Sequence, residues 1–357
     1  MRRLDGALFV VLSARRKAQW KATSSCRTPN LFLRILTISL FALFPSVLAA
    51  QEVDPNEVIR VNTDLVVLDA QVIDRKTRKV FGPLRKDDFE ILEENVKQEI
   101  VYFGQDQLPL SILLLLDISR SVRPVIETIG QGSNNALRHL KAEDEVAVMA
   151  FADSPKLIQA FTKDRSLAAD KITEASQTFL GHGTFTYDAL LEATREINKG
   201  TNPANRRAII VITDNIPSVG GDVAKLQREL AESGAVVYGL TVRGGFAKVF
   251  NVLTLGKLKA VDVYAEETGG EVLGANQSEV DSRLGEMFTR LRTRYTIGYR
   301  PPQTNEAGAF RHVKVQLVPE IMKANKKLVV RSRRGYYFRK KAGTISSEPQ
   351  PRWSHSH

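Results

Sequence analysis

Residues 111–121 read Ser111-Ile-Leu-Leu-Leu-Leu-Asp117-Ile-Ser119-Arg-Ser121, an apolar run that ends on polar side chains. The run is too short to span a membrane and is typical of a fully buried strand in a parallel sheet. An amphipathic stretch at 122–140 follows directly and predicts a helix. We therefore expect Asp117, Ser119 and Ser121 at the carboxyl end of a strand, where open α/β sheets bind their ligands.

The side chains of this loop suit a hard cation. One carboxylate and two hydroxyls, spaced two residues apart, can direct their oxygens toward one point, and Mg²⁺ prefers oxygen ligands. Two later segments add to the pattern: Gly181-His-Gly183-Thr184, just before a predicted helix, and Arg207-Ala-Ile-Ile-Val-Ile-Thr213-Asp214, a second buried strand ending on an acid. Taken together, the three segments predict a metal site at one edge of the sheet.

The three segments resemble the metal-ion-dependent adhesion site (MIDAS) of von Willebrand factor A (VWA) domains. The resemblance implies a Mg²⁺ or Mn²⁺ site made of five residues: Asp117, Ser119, Ser121, Thr184 and Asp214. It implies that the serines ligate directly, that the threonine ligates directly or through water, and that the acids act largely through waters or as charge. From the residues alone, the alternative is two ordinary strand ends and a helix cap, for which Thr184 is a suitable residue type.

Three residues depart from the usual pattern of this family. Arg120 stands between the two serines, His182 replaces a common glycine, and Asn215 follows Asp214 where glycine is common. None of these departures removes a ligand. In such sites an acidic group of the partner completes the coordination of the ion, so all three residues are candidates for partner contact. The alternatives are an arginine that projects into solvent and an ordinary loop histidine.

The rest of the chain predicts an α/β fold with flanking β structure. Strands and helices alternate over 108–293, and such repeated βα units predict a doubly wound, mostly parallel sheet. Segments 58–104 and 294–338 are strand-like, and neither has enough strands for a core of its own. We expect them to pair in one β-sandwich with the VWA domain inserted between them. Their Asp-Phe-Glu and Arg-Arg-Gly-Tyr-Tyr-Phe motifs resemble secreted VWFA-related proteins typical of Acidobacteria.

The first fifty residues predict export. Residues 31–50 combine an arginine, a short apolar core and a small-residue end, which is a signal-peptide pattern behind a long basic region. Cleavage after Ala49 or Ala50 would leave a periplasmic or extracellular protein, and the alternative is an uncleaved membrane anchor. The lone cysteine, Cys26, lies in this segment, so the mature chain would have no thiol. The tail at 339–357 is predicted to be disordered.

Composition gives little support to a nucleic-acid-binding function. The 357 residues carry a formal charge of +11, but the first fifty hold eight basic residues and one acid. The remainder has 43 basic and 39 acidic residues, and no basic patch is interleaved with aromatic residues. Arg331, Arg333 and Arg334 cluster within a strand-like stretch, which we interpret as a solvated sheet face.

Few residues of the sequence support an enzymatic function. The sequence has neither a Gly-x-Ser-x-Gly elbow nor a His-Glu-x-x-His motif. The glycines Gly130 and Gly132 fall inside a predicted helix instead of opening one. Outside the tail, candidate bases are His139, His182 and His312. We therefore expect an exported, non-enzymatic, metal-dependent adhesion protein that captures an acidic group of a protein or surface polymer. The alternatives are a periplasmic scaffold or assembly factor with a structural metal site, and a metal-dependent hydrolase.

Overall fold

A six-stranded sheet lies at the centre of the computed structural model. The structure describes residues 65–105, 108–202, 204–214, 221–242, 260–302 and 308–338. The strands of these ranges are β1 Val66–Asp74, β2 Phe89–Glu93, β3 Val96–Gln98, β4 Ile100–Gln105, β5 Leu110–Asp117, β6 Glu145–Phe151, β7 Pro155–Thr162, β8 Arg206–Thr213, β9 Val236–Val242, β10 Val272–Ala275, β11 Tyr295–Tyr299, β12 Phe310–Leu317, β13 Leu328–Arg331 and β14 Gly335–Tyr337.

Helices cover both faces of this sheet. They are α1 Arg123–Leu137, α2 Arg165–Gln177, α3 Thr186–Gly200, α4 Val223–Ser233, α5 Ala260–Thr268, α6 Val280–Arg292 and the short α7 Pro319–Ala324. Helices α1, α2 and α6 pack on one face. Helices α3, α4 and α5 pack on the other. Every residue of β5 is buried, which explains why its sequence is an uninterrupted apolar run.

The central sheet has the strand order β10-β9-β8-β5-β6-β7, which places a topological switch point beside β5. Strand β5 pairs in parallel with both β6 and β8. The chain first moves outward to β6 and the antiparallel edge strand β7. It then returns to the other side of β5 as β8. The carboxyl ends of β5, β6 and β8 therefore meet at one edge, which is where doubly wound sheets form their ligand crevice.

Local signals set the ends of several helices. The side chain of Asp164 caps α2 by accepting from the Leu167 amide at 3.0 Å. Asp222 caps α4 in the same way through the Lys225 amide at 3.0 Å. Gly234 ends α4 with φ of 67°, a left-handed conformation that glycine adopts without strain. Gly130 and Gly132 lie inside α1, as the sequence predicts.

The flanking segments form a β-sandwich, which confirms the predicted fold class. Its two four-stranded sheets have the orders β13-β1-β11-β4 and β14-β12-β2-β3. Each sheet combines two strands that precede the central sheet in sequence with two that follow it. Their inward side chains share one apolar core. Neither segment has this core without the other, because each sheet contains strands from both segments.

Buried arginines join the sandwich to the central sheet. Arg206 pairs with Asp69 at 3.0 Å and donates to the carbonyl oxygens of Leu291 and Arg294. The fully buried Arg294 donates to the Tyr238 hydroxyl and to the Gly269 carbonyl, each at 2.9 Å. These contacts cross between the two cores, so the junction is held by charge-assisted hydrogen bonds as well as by the chain itself.

One interpretation of the sequence is wrong. Arg331, Arg333 and Arg334 do not form a solvated sheet face, because β13 ends at Arg331 and the chain then leaves the sheet. Arg331 is partly buried and donates to the Gly270 carbonyl at 2.6 Å. Arg333 donates to the Val67 carbonyl, and Arg334 pairs with Glu266. The cluster is therefore part of the junction with the central sheet.

The predicted leader at 1–50, the start of the N-terminal β segment at 58–64 and the tail at 339–357 lie outside the described residues. The predicted domain boundaries stay predictions. Within the described ranges, no helix combines the length and the hydropathy that crossing a membrane requires.

Candidate metal site

The predicted site residues stand on adjacent strand ends. Asp117 is the last residue of β5, and Asp214 follows the last residue of β8. The two strands are parallel neighbours, with Leu116 beside Ile212 in register. Two acids separated by 97 positions in the chain therefore reach the same edge of the sheet because of strand order alone.

Asp117 is fully buried and has both carboxylate oxygens bonded. Its Oδ2 accepts from the Thr213 hydroxyl at 2.6 Å, and its Oδ1 accepts from the Ser119 amide at 2.9 Å. Both donors are neutral. The carboxylate is thus held in a fixed orientation while its charge stays uncompensated by any cationic side chain of the described residues.

The two serines complete a connected polar cluster. The Ser121 hydroxyl donates to Asp214 Oδ2 at 2.7 Å, across 93 residues of sequence. The hydroxyl oxygens of Ser119 and Ser121 lie 3.4 Å apart. Ser119 and Asp214 are buried, whereas Ser121 is exposed. The structure therefore brings together four of the five predicted ligands, with the exposed serine at the solvent side.

The backbone after Asp117 is fixed by the start of α1. The amides of Val122 and Arg123 both donate to the Ser119 carbonyl, at 3.1 and 3.0 Å. The Arg123 side chain turns back to donate to the carbonyl oxygens of Ile118 and Ser176. The loop is tight for this reason, and the positive end of the α1 dipole lies beside the acids.

Thr184 lies on a neighbouring loop that is anchored to the end of β6. The Phe185 amide donates to the Ala152 carbonyl at 3.0 Å, and Asp153 donates its amide to the Leu180 carbonyl at 2.9 Å. Thr184 is half-buried, and in the described part of the chain no hydrogen bond joins its hydroxyl to the other four residues. It does not cap α3 either, because Phe185 occupies the N-cap position without a side-chain bond.

Asp153 organises this loop and was not singled out from the sequence. Its Oδ1 accepts from the Gly183 amide at 2.6 Å. Gly181 has φ of +100°, and a Cβ built at either glycine would clash with the same carboxylate. The Asp153 side chain thus requires both glycines, which explains the Gly-x-Gly spacing. An available signal was its position, since it follows the buried strand Glu145–Phe151 at the same edge as Asp117.

Burial raises the pKa of Asp117 to about 6, and the negative charge of Asp214 contributes in the same direction. Hydrogen bonds from Ser119 and Thr213 act against this rise in the pKa. Burial without a charged partner makes the ionised form costly, and a nearby cation reverses that cost. The electrostatics of the site therefore favour a positive ion.

The donor set suits a hard divalent cation. The predicted ligands offer two carboxylates and three hydroxyls, all of them oxygen donors, and so fit Mg²⁺ or Mn²⁺ better than soft metals. Among the described residues, no three His, Cys, Asp or Glu side chains cluster as a conventional metal site. With so few anionic ligands, the arrangement can hold an ion while leaving it electrophilic toward an additional anion.

The candidates for partner contact differ in what the structure shows of them. Arg120 is exposed between the two serines. His182 is exposed and packs edge-on against Phe179 with ring centroids 5.3 Å apart. Phe179 is itself 68% exposed. Asn215 lies outside the described residues. Arg120 and His182 are thus both exposed to solvent, and their contact with a partner stays a prediction.

One segment of the chain matches a known domain family. Residues 112–216 match the family model described as von Willebrand factor type A domain, and the chain therefore carries a VWA domain. This segment includes all five predicted ligands. No match was found among the curated proteins.

Solved structures similar to this chain come from several sources. BatB, a conserved hypothetical protein from Bacteroides thetaiotaomicron, is 20% identical, with 51% of this chain and 98% of that chain covered and a TM-score of 0.38. A von Willebrand factor type A protein from Catenulispora acidiphila is 13% identical, with 65% and 69% covered and a TM-score of 0.41. Proximal thread matrix protein 1 from the mussel byssus, with zinc in its MIDAS motif, is 17% identical, with 51% and 48% covered and a TM-score of 0.39.

Proposed function

We propose, from the premise that this chain carries a VWA domain, that it is an exported binding protein and not an enzyme. Its site at the carboxyl edge of the central sheet would bind Mg²⁺ or Mn²⁺ and, through that ion, an acidic group of a partner protein or surface polymer. VWA domains mediate protein–protein interactions and commonly bind a divalent cation, which supports the coarser part of this proposal.

The observation that carries the proposal is the cluster formed by Asp117, Ser119, Ser121 and Asp214. The 2.7 Å bond between Ser121 and Asp214 brings together residues that the sequence separates widely. A fully buried acid with only neutral donors lies behind them. The other buried acids of the described residues, Glu93, Asp144 and Glu271, pair with arginines, so this cluster is better explained by a cation from solution than by folding alone.

Each residue would have a distinct part in binding. Ser119, Ser121 and Thr184 would offer hydroxyl oxygens, and Asp117 and Asp214 would supply the balancing charge. A bound Mg²⁺ or Mn²⁺ would supply a Lewis acid able to accept a carboxylate oxygen of the partner. Asp153 would hold the loop of Thr184 in place. Arg120 would attract the same anionic partner by charge.

The histidines fit binding better than hydrolysis. His139 follows the far end of α1, whose 15 residues extend roughly 22 Å from the acidic edge. His312 belongs to β12 in the sandwich. His182 alone among the three lies on a loop at the acidic edge, and it packs against Phe179. A base poised beside Asp117 would have favoured a hydrolase.

The burial of Asp117 favours one second candidate. An ion held behind buried residues could stabilise the fold, and the chain would then be a periplasmic scaffold or assembly factor. The two candidates differ in whether the ion is needed for capture of an acidic partner or only for stability.

A surface coated with poly-L-glutamate tests capture directly. We expect the full chain to bind more strongly in millimolar Mg²⁺ or Mn²⁺ than in chelator. The double variant Ser119→Ala/Ser121→Ala keeps the net charge and should lose this metal-dependent increment. An increment that the double variant retains, or binding equal in metal and chelator, would contradict the proposal. A rise in melting temperature without any increment would favour the scaffold.

A further inference from the structure

A long groove lies at the opposite edge of the central sheet, near the amino ends of its strands. It has a volume of about 1340 Å³ and runs between the C-terminal part of α4, the start of β1 and the segment 333–338. Arg207 stands at the beginning of β8, whose eight residues place it roughly 25 Å from Asp214. The groove is therefore separate from the candidate metal site.

Two arginines lie in this groove near the end of α4. Arg207 donates to the Ser233 carbonyl at 3.1 Å and to Asn198 at 3.3 Å. Arg333 donates to the Val67 carbonyl, and a Cβ built on Gly234 would lie 4.0 Å from its Nη1. Both guanidinium groups are thus anchored by neutral acceptors beside Ser233 and Gly234.

Neither arginine of this pair forms an ion pair with a carboxylate of the described residues. The other two arginines of the groove have carboxylate partners, since Arg206 pairs with Asp69 and Arg334 with Glu266. No described carboxylate pairs with Arg207 or Arg333, and the Nε of each is buried without a hydrogen-bond partner. Burial lowers the pKa of both guanidinium groups, and for Arg333 the negative charge of Asp69 acts in the opposite direction.

Apolar side chains also line the groove. Val67, Tyr102 and Phe310 are 45%, 36% and 38% exposed, although each is large and apolar. The ring of Phe310 lies 5.1 Å from the rings of both His312 and Tyr337. The volume exceeds the roughly 300–1,000 Å³ of a small-molecule site, and an exposed aromatic surface with arginine is typical of protein interfaces.

We propose that this groove binds an extended peptide segment of a partner protein, in which an acidic side chain is flanked by apolar ones. The carboxylate would lie against Arg207 and Arg333, and the neighbouring side chains would pack on Phe310 and Tyr102. Aliphatic lining residues such as Val67 favour apolar side chains over an acidic polysaccharide. Since the candidate metal site is at the other edge, the chain could hold two partners at once.

A defined peptide pair tests the groove in the full chain. The probe is a fluorescein-labelled, terminally blocked pentapeptide, Ala-Phe-Glu-Leu-Ala, and its control has glutamine in place of glutamate. Fluorescence anisotropy is measured in chelator, so that metal-dependent capture does not contribute. We expect saturable binding of the glutamate peptide and at least tenfold weaker binding of the glutamine peptide. The double variant Arg207→Gln/Arg333→Gln should bind the two peptides equally.

Two further variants keep the result interpretable. Phe310→Ser leaves every charge in place and should weaken both peptides about equally, whereas Arg120→Gln at the opposite edge should change neither. Equal affinity for the two peptides, full binding by the double arginine variant, or no saturation at millimolar peptide would overturn the proposal. Binding that requires Mg²⁺ and disappears in Ser119→Ala/Ser121→Ala would assign the peptide to the metal site instead. Competition by polygalacturonate but not by unlabelled peptide would indicate a polysaccharide groove.

Discussion

Buried acids at the carboxyl edge and at the sandwich junction are stabilised in different ways. At the junction, buried Glu271 pairs with Arg290 at 2.7 Å, and Asp69 pairs with Arg206 at 3.0 Å. At the carboxyl edge, Asp117 accepts from neutral donors, among them the Thr213 hydroxyl and the Ser119 amide. The junction acids are neutralised within the protein. The difference teaches that burial alone does not single out Asp117, whereas burial without a cationic partner distinguishes it from the junction acids.

The largest expected effect comes from breaking the junction. Arg206→Ala should lower the free energy of unfolding by about 3–5 kcal/mol, because it leaves Asp69 and several carbonyl oxygens without their donor. Urea denaturation measures this loss. The matched control is Arg195→Ala, whose pairs with Glu192 and Glu229 are largely exposed and should contribute at most about 1 kcal/mol. Equal losses for the two variants would mean that the junction is not held by Arg206.

The next effect concerns the pH dependence of Asp117. Its pKa is raised from 3.8 to about 6 in the folded, metal-free protein, so the folded state binds more protons than the unfolded state between these values. The free energy of unfolding should therefore fall as pH rises through this window, by up to about 3 kcal/mol. Asp117→Asn should lack this contribution, and the difference between parent and variant in chelator measures it.

A divalent cation should reverse this pH effect in the parent. The ion favours the ionised carboxylate, so its stabilisation should be larger at pH 7.5 than at pH 5. Parent and Asp117→Asn curves that stay parallel in chelator from pH 4 to pH 7 would show that Asp117 titrates normally. Burial without a cationic partner would then not distinguish Asp117 from the acids that pair with arginines.

The smallest effect concerns the loop that carries Thr184. Asp153→Ala removes the acceptor of the Gly183 amide, and one such bond contributes about 1 kcal/mol. We expect faster amide hydrogen exchange over 181–185 and a weaker response to Mg²⁺. Asp153→Asn retains an acceptor oxygen and should behave closer to the parent. Identical exchange in all three proteins would mean that the contacts with Ala152 and Leu180, and not the Asp153 side chain, keep this loop ordered.

Much of the candidate site could be predicted because the order of the strands in the sheet determines where its residues lie. A buried run that ends on an acid fixes where Asp117 lies, and parallel pairing brings Asp214 to the same edge. The sequence could not say how Thr184 relates to the other ligands, since loop geometry depends on Asp153. Asp153 itself has no distinctive pattern, because an acid after a strand is common in turns.

The junction could not be predicted for a different reason. Asp69 and Arg206 are 137 positions apart, and each looks like an ordinary surface charge in sequence. Arg331 and Arg333 alternate as in an exposed strand, but β13 ends at Arg331, and the chain then turns toward the central sheet. Period-two patterning describes a strand and does not show where that strand stops.

The melting temperature of the full chain with and without a divalent cation tests the central claim most directly. An ion that binds only the folded state at about 100 times its Kd adds about 2.7 kcal/mol, or roughly 5–10 °C for a domain of this size. We predict such a rise when millimolar Mg²⁺ or Mn²⁺ replaces chelator, and no rise in Asp117→Ala or in Ser119→Ala/Ser121→Ala. The same melting temperature in chelator and in both ions, or a rise that these variants share with the parent, would contradict a cation site at the carboxyl edge.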